Sequence, residues 1–268
     1  IFLDAGEVRF DGAPGDLARS IPAGDLDRSL VRRDAGTGLR GASSPRGRRG
    51  KAASVVEMRE ARFSPGGSAF ALDVSSFSVA SFERVGICGP SGSGKTTLLL
   101  GSAGLLPSAG GEVSLFGARV ASRRDFPAGK VAFLFQSPEE GFFAPTVREE
   151  VSLACRSLAG KGDTSGAAAR SLVEAGLPPE LFLDRNPFHL SQGEKRLVAL
   201  ASMLVLDARL FFLAEPTIFL DGAARRRLLS ALERLSARGA STVVASHDRS
   251  FLGECTDRIV AIENGRVL

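Results

Sequence analysis

One stretch of nine residues, 89–97 (GPSGSGKTT), restricts what this chain can fold into more than any other feature of the sequence. It fits the pattern G-x-x-x-x-G-K-[ST], in which glycines allow backbone N–H groups to close around phosphate oxygens. The mainly apolar residues 84–88 are typical of a short strand, and residues 97–100 (TLLL) begin a predicted helix. A helix N-terminus after a glycine-rich turn attracts anions, so the stretch predicts a phosphate-binding loop.

The loop also predicts which ligand it binds. We expect the phosphates of a nucleotide to be surrounded by Gly89, Pro90, Ser91, Gly92, Ser93, Gly94, Lys95, Thr96 and Thr97. In this pattern the lysine, Lys95, reaches the β- and γ-phosphates. The hydroxyl of the next residue, Thr96, is placed to hold Mg²⁺. The pattern therefore predicts a nucleoside triphosphate and a magnesium ion as ligands.

Strands and helices alternate from Val55 to the end of the chain. The predicted strands are 55–58, 77–79, 85–88, 131–135, 210–213 and 242–245. The predicted helices are 146–158, 167–175, 191–206 and 222–238. The strands at 131–135 and 210–213 are apolar throughout, as parallel strands buried on both faces are. We therefore predict an α/β P-loop domain over residues 55–268.

The positive charge of the chain is concentrated in one segment. The net charge is +4, and eight Lys or Arg with a single acid give residues 28–51 a local charge of +7, which leaves −3 elsewhere. Because residues 28–54 contain few large apolar side chains, we predict a flexible basic linker there. Contact of this linker with anionic lipid headgroups is an alternative role. Since the body of the chain is not basic, we expect no nucleic-acid partner.

Composition places the chain among ordinary globular proteins. Hydrophobic residues make up 44% and charged residues 24%, which is typical of a packed domain. No apolar run approaches the roughly 20 residues of a membrane span. Three cysteines far apart in sequence favour buried thiols over a disulfide framework or a zinc site.

Two short segments near the ends of the chain resemble each other. Residues 1–8 (IFLDAGEV) align with residues 260–267 (VAIENGRV) at an offset of 259 residues, about the length of one domain. Each reads as two short strands around a turn. We interpret residues 1–27 as the C-terminal tail of a preceding, similar domain. Chance similarity of two hairpins is the alternative.

Further motifs with possible chemical roles follow the phosphate loop. Ser191 and Glu194 form the capping box S-x-x-E before an apolar helix, and Gly193 lets another backbone approach closely. The next apolar strand ends in Glu215, a carboxylate placed to accept a proton from a water attacking the γ-phosphate. The last strand ends before His247, which taken alone is typical of an exposed strand-end residue.

The order of these motifs resembles the nucleotide-binding domain of an ATP-binding cassette (ABC) ATPase over residues 55–268. The resemblance implies a mostly parallel core sheet, an antiparallel β subdomain and a helical signature subdomain. The resemblance implies two such domains paired head to tail, with each ATP held between one phosphate loop and the signature helix of the partner. It implies that ATP bound to the partner is contacted by Ser191, Gly193 and Glu194. It further implies a Mg²⁺- and γ-phosphate-sensing Gln136, a general base Glu215, an inter-domain loop at Asp221 and a switch histidine His247.

A subfamily is also indicated. Residues 135–151 and the sequence PFHL at 187–190 resemble the ATPases of energy-coupling-factor importers, the cobalt-transporter type. The resemblance implies an ATPase at the cytoplasmic face of a membrane that powers import of a vitamin or metal ion. Its partners would be a second cassette, a membrane scaffold and a substrate-binding membrane subunit. We expect residues 139–146 to receive the scaffold, and residues 1–27 to make this chain the second half of a fused pair.

The main departure from the family pattern is Ala214, where the family has an aspartate before the general base. That aspartate orients the Mg²⁺ shell, and losses of this kind typically cost about 10 to 100-fold in metal affinity or activity. We expect weakened hydrolysis with ATP binding retained. A regulatory half that binds ATP without turnover is the alternative, as is a residue changed to trap ATP.

A second departure concerns the adenine. The family stacks adenine on an aromatic ring, usually Tyr, upstream of the phosphate loop, and this chain contains no Tyr. Phe63 is our candidate for the stacking ring. A role for Phe63 in the core is the alternative.

A soluble cassette ATPase acting on nucleic acid is the remaining rival function, which a basic body would favour.

Overall fold

The computed structural model describes residues 2–4, 7–10, 53–64, 71–137, 141–159 and 164–267. The predicted basic linker lies outside the described residues except at its end, where the first strand of the main domain begins at Ser54. The strands are β1 (Phe2–Asp4), β2 (Glu7–Phe10), β3 (Ser54–Phe63), β4 (Leu72–Ala80), β5 (Arg84–Cys88), β6 (Gly110–Leu115), β7 (Ala118–Arg119), β8 (Val131–Leu134), β9 (Leu210–Ala214), β10 (Ser241–Ala245), β11 (Arg258–Glu263) and β12 (Arg266–Val267).

Every helix predicted from the sequence is present. The helices are α1 (Lys95–Ser102), α2 (Val147–Ala159), α3 (Thr164–Ala175), α4 (Pro179–Phe182), α5 (Gln192–Leu204), α6 (Gly222–Ala237) and α7 (Arg249–Cys255). Glycines in the left-handed region follow two of them, Gly176 after α3 and Gly239 after α6, as expected for helix C-termini. No helix in the described ranges is long and apolar enough to cross a membrane.

The main sheet combines parallel and antiparallel parts. Its ten strands have the order β7-β6-β3-β4-β12-β11-β5-β10-β9-β8. Strands β11, β5, β10, β9 and β8 pair in parallel, whereas β3 pairs antiparallel with β4 and β6. Helices α2 to α5 pack against one another and form a helical part, in which α5 also contacts β8. The predicted α/β fold, with a mostly parallel core, an antiparallel β part and a helical part, is confirmed.

Buried side chains fill both sides of the parallel strands. In β9, Phe211 and Leu213 belong to the apolar cluster under the helical part, while Phe212 lies in the cluster that joins α1 to β3 and β4. This confirms the prediction of burial on both faces for β9. For residues 131–135 the prediction is only partly correct. Strand β8 ends the sheet order, and Phe135 just after it is 52% exposed.

Helix α1 packs closely on β3, and this contact can be tested. A Cβ added at Gly101 would lie 2.6 Å from Cζ of the Phe63 ring. We expect Gly101→Ala to lower the free energy of unfolding by about 1–3 kcal/mol, because the ring or the helix must move. Urea unfolding of the full chain, followed by circular dichroism, measures the change.

The matched control is Gly253→Ala within α7, where an added Cβ has nothing within 4 Å. We expect this change to raise the free energy of unfolding by about 0.5–1 kcal/mol, because alanine favours a helix more than glycine does. Equal effects of the two substitutions would contradict the close packing at Gly101.

Candidate nucleotide-binding site

The candidate site is formed where four parallel strands end together. Ala245 at the end of β10 lies opposite Ile87 of β5 and Ala214 of β9. Leu134 at the end of β8 lies opposite Leu213. The phosphate loop and the residues that follow β8, β9 and β10 therefore leave the sheet at its carboxyl end, which is where parallel sheets bind ligands.

The loop after β5 and the ends of the neighbouring strands enclose a cavity of about 400 Å³. It is lined by Ser91, Gly92, Gly94, Lys95, Thr96, Thr97, Gln136, Glu215, Ile218 and His247. Most of the residues predicted to face the nucleotide phosphates are thus brought together. Gly89 supports the loop from behind, since a Cβ there would lie 2.3 Å from the carbonyl oxygen of Ile262.

The N-terminus of α1 is open towards a ligand. Side chains of Ser191, Asp221 and Asp248 cap α5, α6 and α7, whereas Gly94 at the start of α1 provides no side-chain cap. The first amides of a helix have no partners within the helix. The buried hydroxyl of Ser93 has no hydrogen-bond partner either. This set of available donors fits the phosphate groups of a nucleotide.

Lys95 is held by the loop it belongs to. Its Nζ donates to the carbonyl oxygens of Gly89 and Pro90 at 2.9 and 3.0 Å. It also lies 3.9 Å from Oε1 of Glu215, and both side chains are largely buried. Cys88 just before the loop adds no charge, because burial raises the pKa of its thiol. Lys95 is therefore positioned to contact phosphate oxygens in a partly buried site.

Glu215 is fixed by several donors. Its Oε2 accepts hydrogen bonds from the Ser246 hydroxyl at 3.2 Å and the His247 backbone N–H at 3.3 Å. Nδ1 of His247 lies 2.8 Å from the same oxygen. The sequence predicted roles for Glu215 and His247, but not for Ser246, which is fully buried just after β10. The arrangement holds a carboxylate beside the phosphate loop in one orientation.

Another residue that sequence reasoning missed is Arg196 on α5. Its guanidinium donates to the backbone carbonyl of Glu215 at 2.9 Å and to that of Gln136 at 2.6 Å. The sequence contained a signal for it, because Arg196, Leu200 and Met203 follow helical spacing and are all buried. A charged residue on the buried stripe of a helix needs polar partners inside the protein.

The signature residues, Ser191, Gly193 and Glu194, do not line this cavity. Ser191 and Glu194 form the predicted capping box, in which each side chain accepts from the backbone N–H of the other. Gly193 lies near the carbonyl oxygen of Phe219, which would be 3.3 Å from an added Cβ. Asp221 caps α6 by accepting from Ala224 N at 2.7 Å. Within this chain these residues therefore have local structural contacts, and their roles towards a partner stay predictions.

The prediction that Phe63 stacks on adenine is wrong. Phe63 is 0% exposed and belongs to the core cluster between the antiparallel strands and α1. A ring with no accessible face cannot receive an incoming base, so the alternative role in the core is the observed one. Residues 65–70, which follow it, lie outside the described residues.

The residues that line the cavity include the two predicted magnesium ligands. Thr96 and Gln136 both line the cavity, so the two predicted ligands are brought together. Within the described ranges, no group of three or more His, Cys, Asp or Glu forms a metal cluster. Ala214 lies in the apolar cluster below the site and supplies no side-chain oxygen. The side chains fit a Mg²⁺ ion whose other ligands are phosphate and water oxygens, as is usual for Mg²⁺.

Comparisons with known proteins indicate the family of this chain. The family described as ABC transporter matches residues 72–218. A putative ABC transporter ATP-binding protein of Gloeobacter violaceus is 39% identical over 188 residues, which cover 69% of this chain and 76% of that protein. The energy-coupling factor transporter ATP-binding protein EcfA of Methanothermobacter thermautotrophicus is 33% identical over 218 residues, which cover 80% of this chain and 70% of that protein.

A solved structure has the same fold. A dimeric ATP-binding cassette in a post-hydrolysis state, bound to ADP and Pi, superposes with a TM-score of 0.70 at 25% identity. The superposition covers 79% of this chain and 96% of the other. The cavity described above therefore lies in a fold that binds nucleotide in a similar protein.

Proposed function

This chain belongs to the ABC transporter family of ATP-binding proteins, and from that premise we propose that it is the ATPase subunit of an energy-coupling-factor importer. Relatives named as energy-coupling factor ATP-binding proteins are 31% to 35% identical to it. In this proposal it acts at the cytoplasmic face of a membrane and powers uptake of a vitamin or a metal ion. ATP and Mg²⁺ are the ligands that this family uses.

The observation that carries the proposed chemistry is the position of Glu215. Its carboxylate lies beside Lys95 and is held by Ser246 and His247. In the proposed reaction, Lys95 and the amides of α1 bind the β- and γ-phosphates. Glu215 accepts the proton of a water that attacks the γ-phosphorus, and the bond to the leaving ADP oxygen breaks. The magnesium ion, held by Thr96 and Gln136, would neutralise phosphate charge.

A regulatory half is the second candidate, and Ala214 is the observation that favours it. A chain without the Mg²⁺-orienting carboxylate retains Lys95 and Glu215 but lacks part of the usual metal shell. Such a cassette would bind ATP and close on its partner with little turnover. We favour weakened hydrolysis, since the other groups for the reaction are in place.

Exposed aromatic side chains support the proposed contact with a membrane scaffold. Phe143 is 79% exposed and Phe188 is 50% exposed, and Phe188 packs edge-on against Phe142. The buried carboxylate of Glu150 accepts from the backbone N–H groups of Phe143 and Ala144 at 2.9 and 2.8 Å. Part of the segment predicted to receive the scaffold is thus an ordered apolar surface, which suits an apolar helix end of a membrane partner.

The two hairpins support the proposal of a fused pair. Leu3 pairs with Val8 and Asp4 with Glu7 in the first hairpin. At the 259-residue offset their equivalents are Ile262 with Val267 and Glu263 with Arg266, and these are the pairs of β11 with β12. Equal register in two separate hairpins is what a domain repeat would produce.

Restoring the missing carboxylate tests the two candidate functions. We expect Ala214→Asp to raise the ATPase rate or the Mg²⁺ affinity of the membrane complex by about 10 to 100-fold. The measurement is steady-state hydrolysis across a Mg²⁺ titration, with the other cassette silenced at its own general base. Ala214→Asn has the same shape without the charge and should show no gain. No gain with aspartate, while ATP still binds, would favour the regulatory half.

The proposed scaffold contact can be tested with two exposed phenylalanines. We expect Phe143→Asp to weaken binding of the purified scaffold subunit by at least about tenfold, because it places a charge in an apolar contact. Phe82→Asp is the control. Phe82 is 69% exposed and lies in the turn before β5, at the end of that strand opposite the phosphate loop. Titration with the detergent-solubilised scaffold gives both affinities. Equal affinities for the two variants would contradict the proposed surface.

The fused pair predicts a second phosphate loop about 259 residues before Gly89 in the native polypeptide, the offset of the hairpins. Intact-mass measurement and peptide mapping of the protein purified from its natural source test this. A polypeptide without an upstream phosphate loop would remove the tandem arrangement and leave the ATPase proposal untouched.

A further inference from the structure

A buried arginine connects the helix that begins with the signature residues to two loops of the nucleotide cavity. Arg196 is 4% exposed. One of its terminal nitrogens donates to the carbonyl oxygen of Glu215 at 2.9 Å and the other to that of Gln136 at 2.6 Å. The two carbonyls follow neighbouring strands, β9 and β8. The planar, rigid fork of a guanidinium can fix the spacing between two such acceptors.

Both acceptors belong to residues that line the cavity. Glu215 has a φ of 46°, which is the left-handed region that residues other than glycine rarely adopt. Such a conformation persists only where surrounding contacts maintain it. The hydrogen bond from Arg196 is one such contact, and it acts on the backbone that carries the carboxylate.

Helix α5 also extends to the signature residues. Ser191 caps its N-terminus, and Arg196 follows Glu194 by two positions within the same run of helix. Gly193 at the first turn lies against the backbone of Phe219, in the segment after Glu215. A displacement of the first turn of α5 would therefore move the donors that hold Glu215 and Gln136.

We propose that Arg196 is a positioning residue that sets the spacing of Gln136 and Glu215 around the γ-phosphate, and that through it the signature helix affects the nucleotide site of its own chain. The proposal rests on the proposed ATPase function. Arg196 does not line the cavity. Its effect is on the parts of the site that distinguish ATP from ADP, whereas the phosphate loop that binds both nucleotides does not depend on it.

The test is the ratio of ADP to ATP dissociation constants, measured by calorimetry on the full chain with Mg²⁺. We expect Arg196→Met to lower the preference for ATP about tenfold, through weaker ATP binding, with ADP affinity unchanged within about twofold. Arg196→Lys can supply one of the two hydrogen bonds. We therefore expect it to show about half of that loss of preference for ATP, on a logarithmic scale. Hydrolysis is not needed for this readout, so a non-hydrolysing chain still gives an answer.

Arg226→Met is the matched control, because Arg226 is an exposed arginine on another helix, α6. It should leave both affinities unchanged. Circular dichroism and urea unfolding establish that each variant is folded, and Arg196→Lys decides the matter if Arg196→Met does not fold. An unchanged ratio, or equal weakening of ATP and ADP, would overturn the inference. A wild-type chain that binds neither nucleotide would instead overturn the proposed function on which it rests.

Discussion

The parallel register of β8, β9, β10 and β5 is the constraint on which the nucleotide site depends. Because Ala245 pairs with both Ala214 and Ile87, and Leu134 pairs with Leu213, the loops that follow these strands converge at the carboxyl end of the sheet. The apolar side chains that fix this register lie in both core clusters. A one-residue slip would turn them to opposite faces. Burial on both faces therefore sets the positions of the polar groups that serve the ligand.

Electrostatics then determines how the site responds to a nucleotide. The ammonium of Lys95 is satisfied by two carbonyls of its own loop and lies near the carboxylate of Glu215. Removing two such charges from water is costly unless they have hydrogen-bond partners, and each of them has such partners here. A bound phosphate exchanges carbonyl acceptors of Lys95 for charged oxygens, which form stronger bonds. The site can thus be preformed and still favour the anion.

The sequence predicted the local parts of this arrangement better than the long-range parts. The phosphate loop, the capping box at Ser191 and the strand before Glu215 follow from patterns within a few residues, and the structure contains them. The contacts of Arg196 join residues 19 and 60 positions apart, and no local pattern specifies such partners. The prediction for Phe63 is wrong for the same reason, since only the packing of α1 on β3 shows that its ring is buried.

In the proposed function, Ala214 in place of the family's aspartate would affect ATP binding and ATP turnover differently. Within the described residues, Glu215 is the only carboxylate that lines the cavity, and Lys95 lies opposite it. Removing one anion from a site for a triphosphate lowers the repulsion that the phosphates meet, while it also removes a group that orients the metal shell. In the proposed function, the first effect would favour bound ATP and the second would slow its hydrolysis. The proposal of weakened hydrolysis with retained ATP binding therefore follows from the loss of one carboxylate.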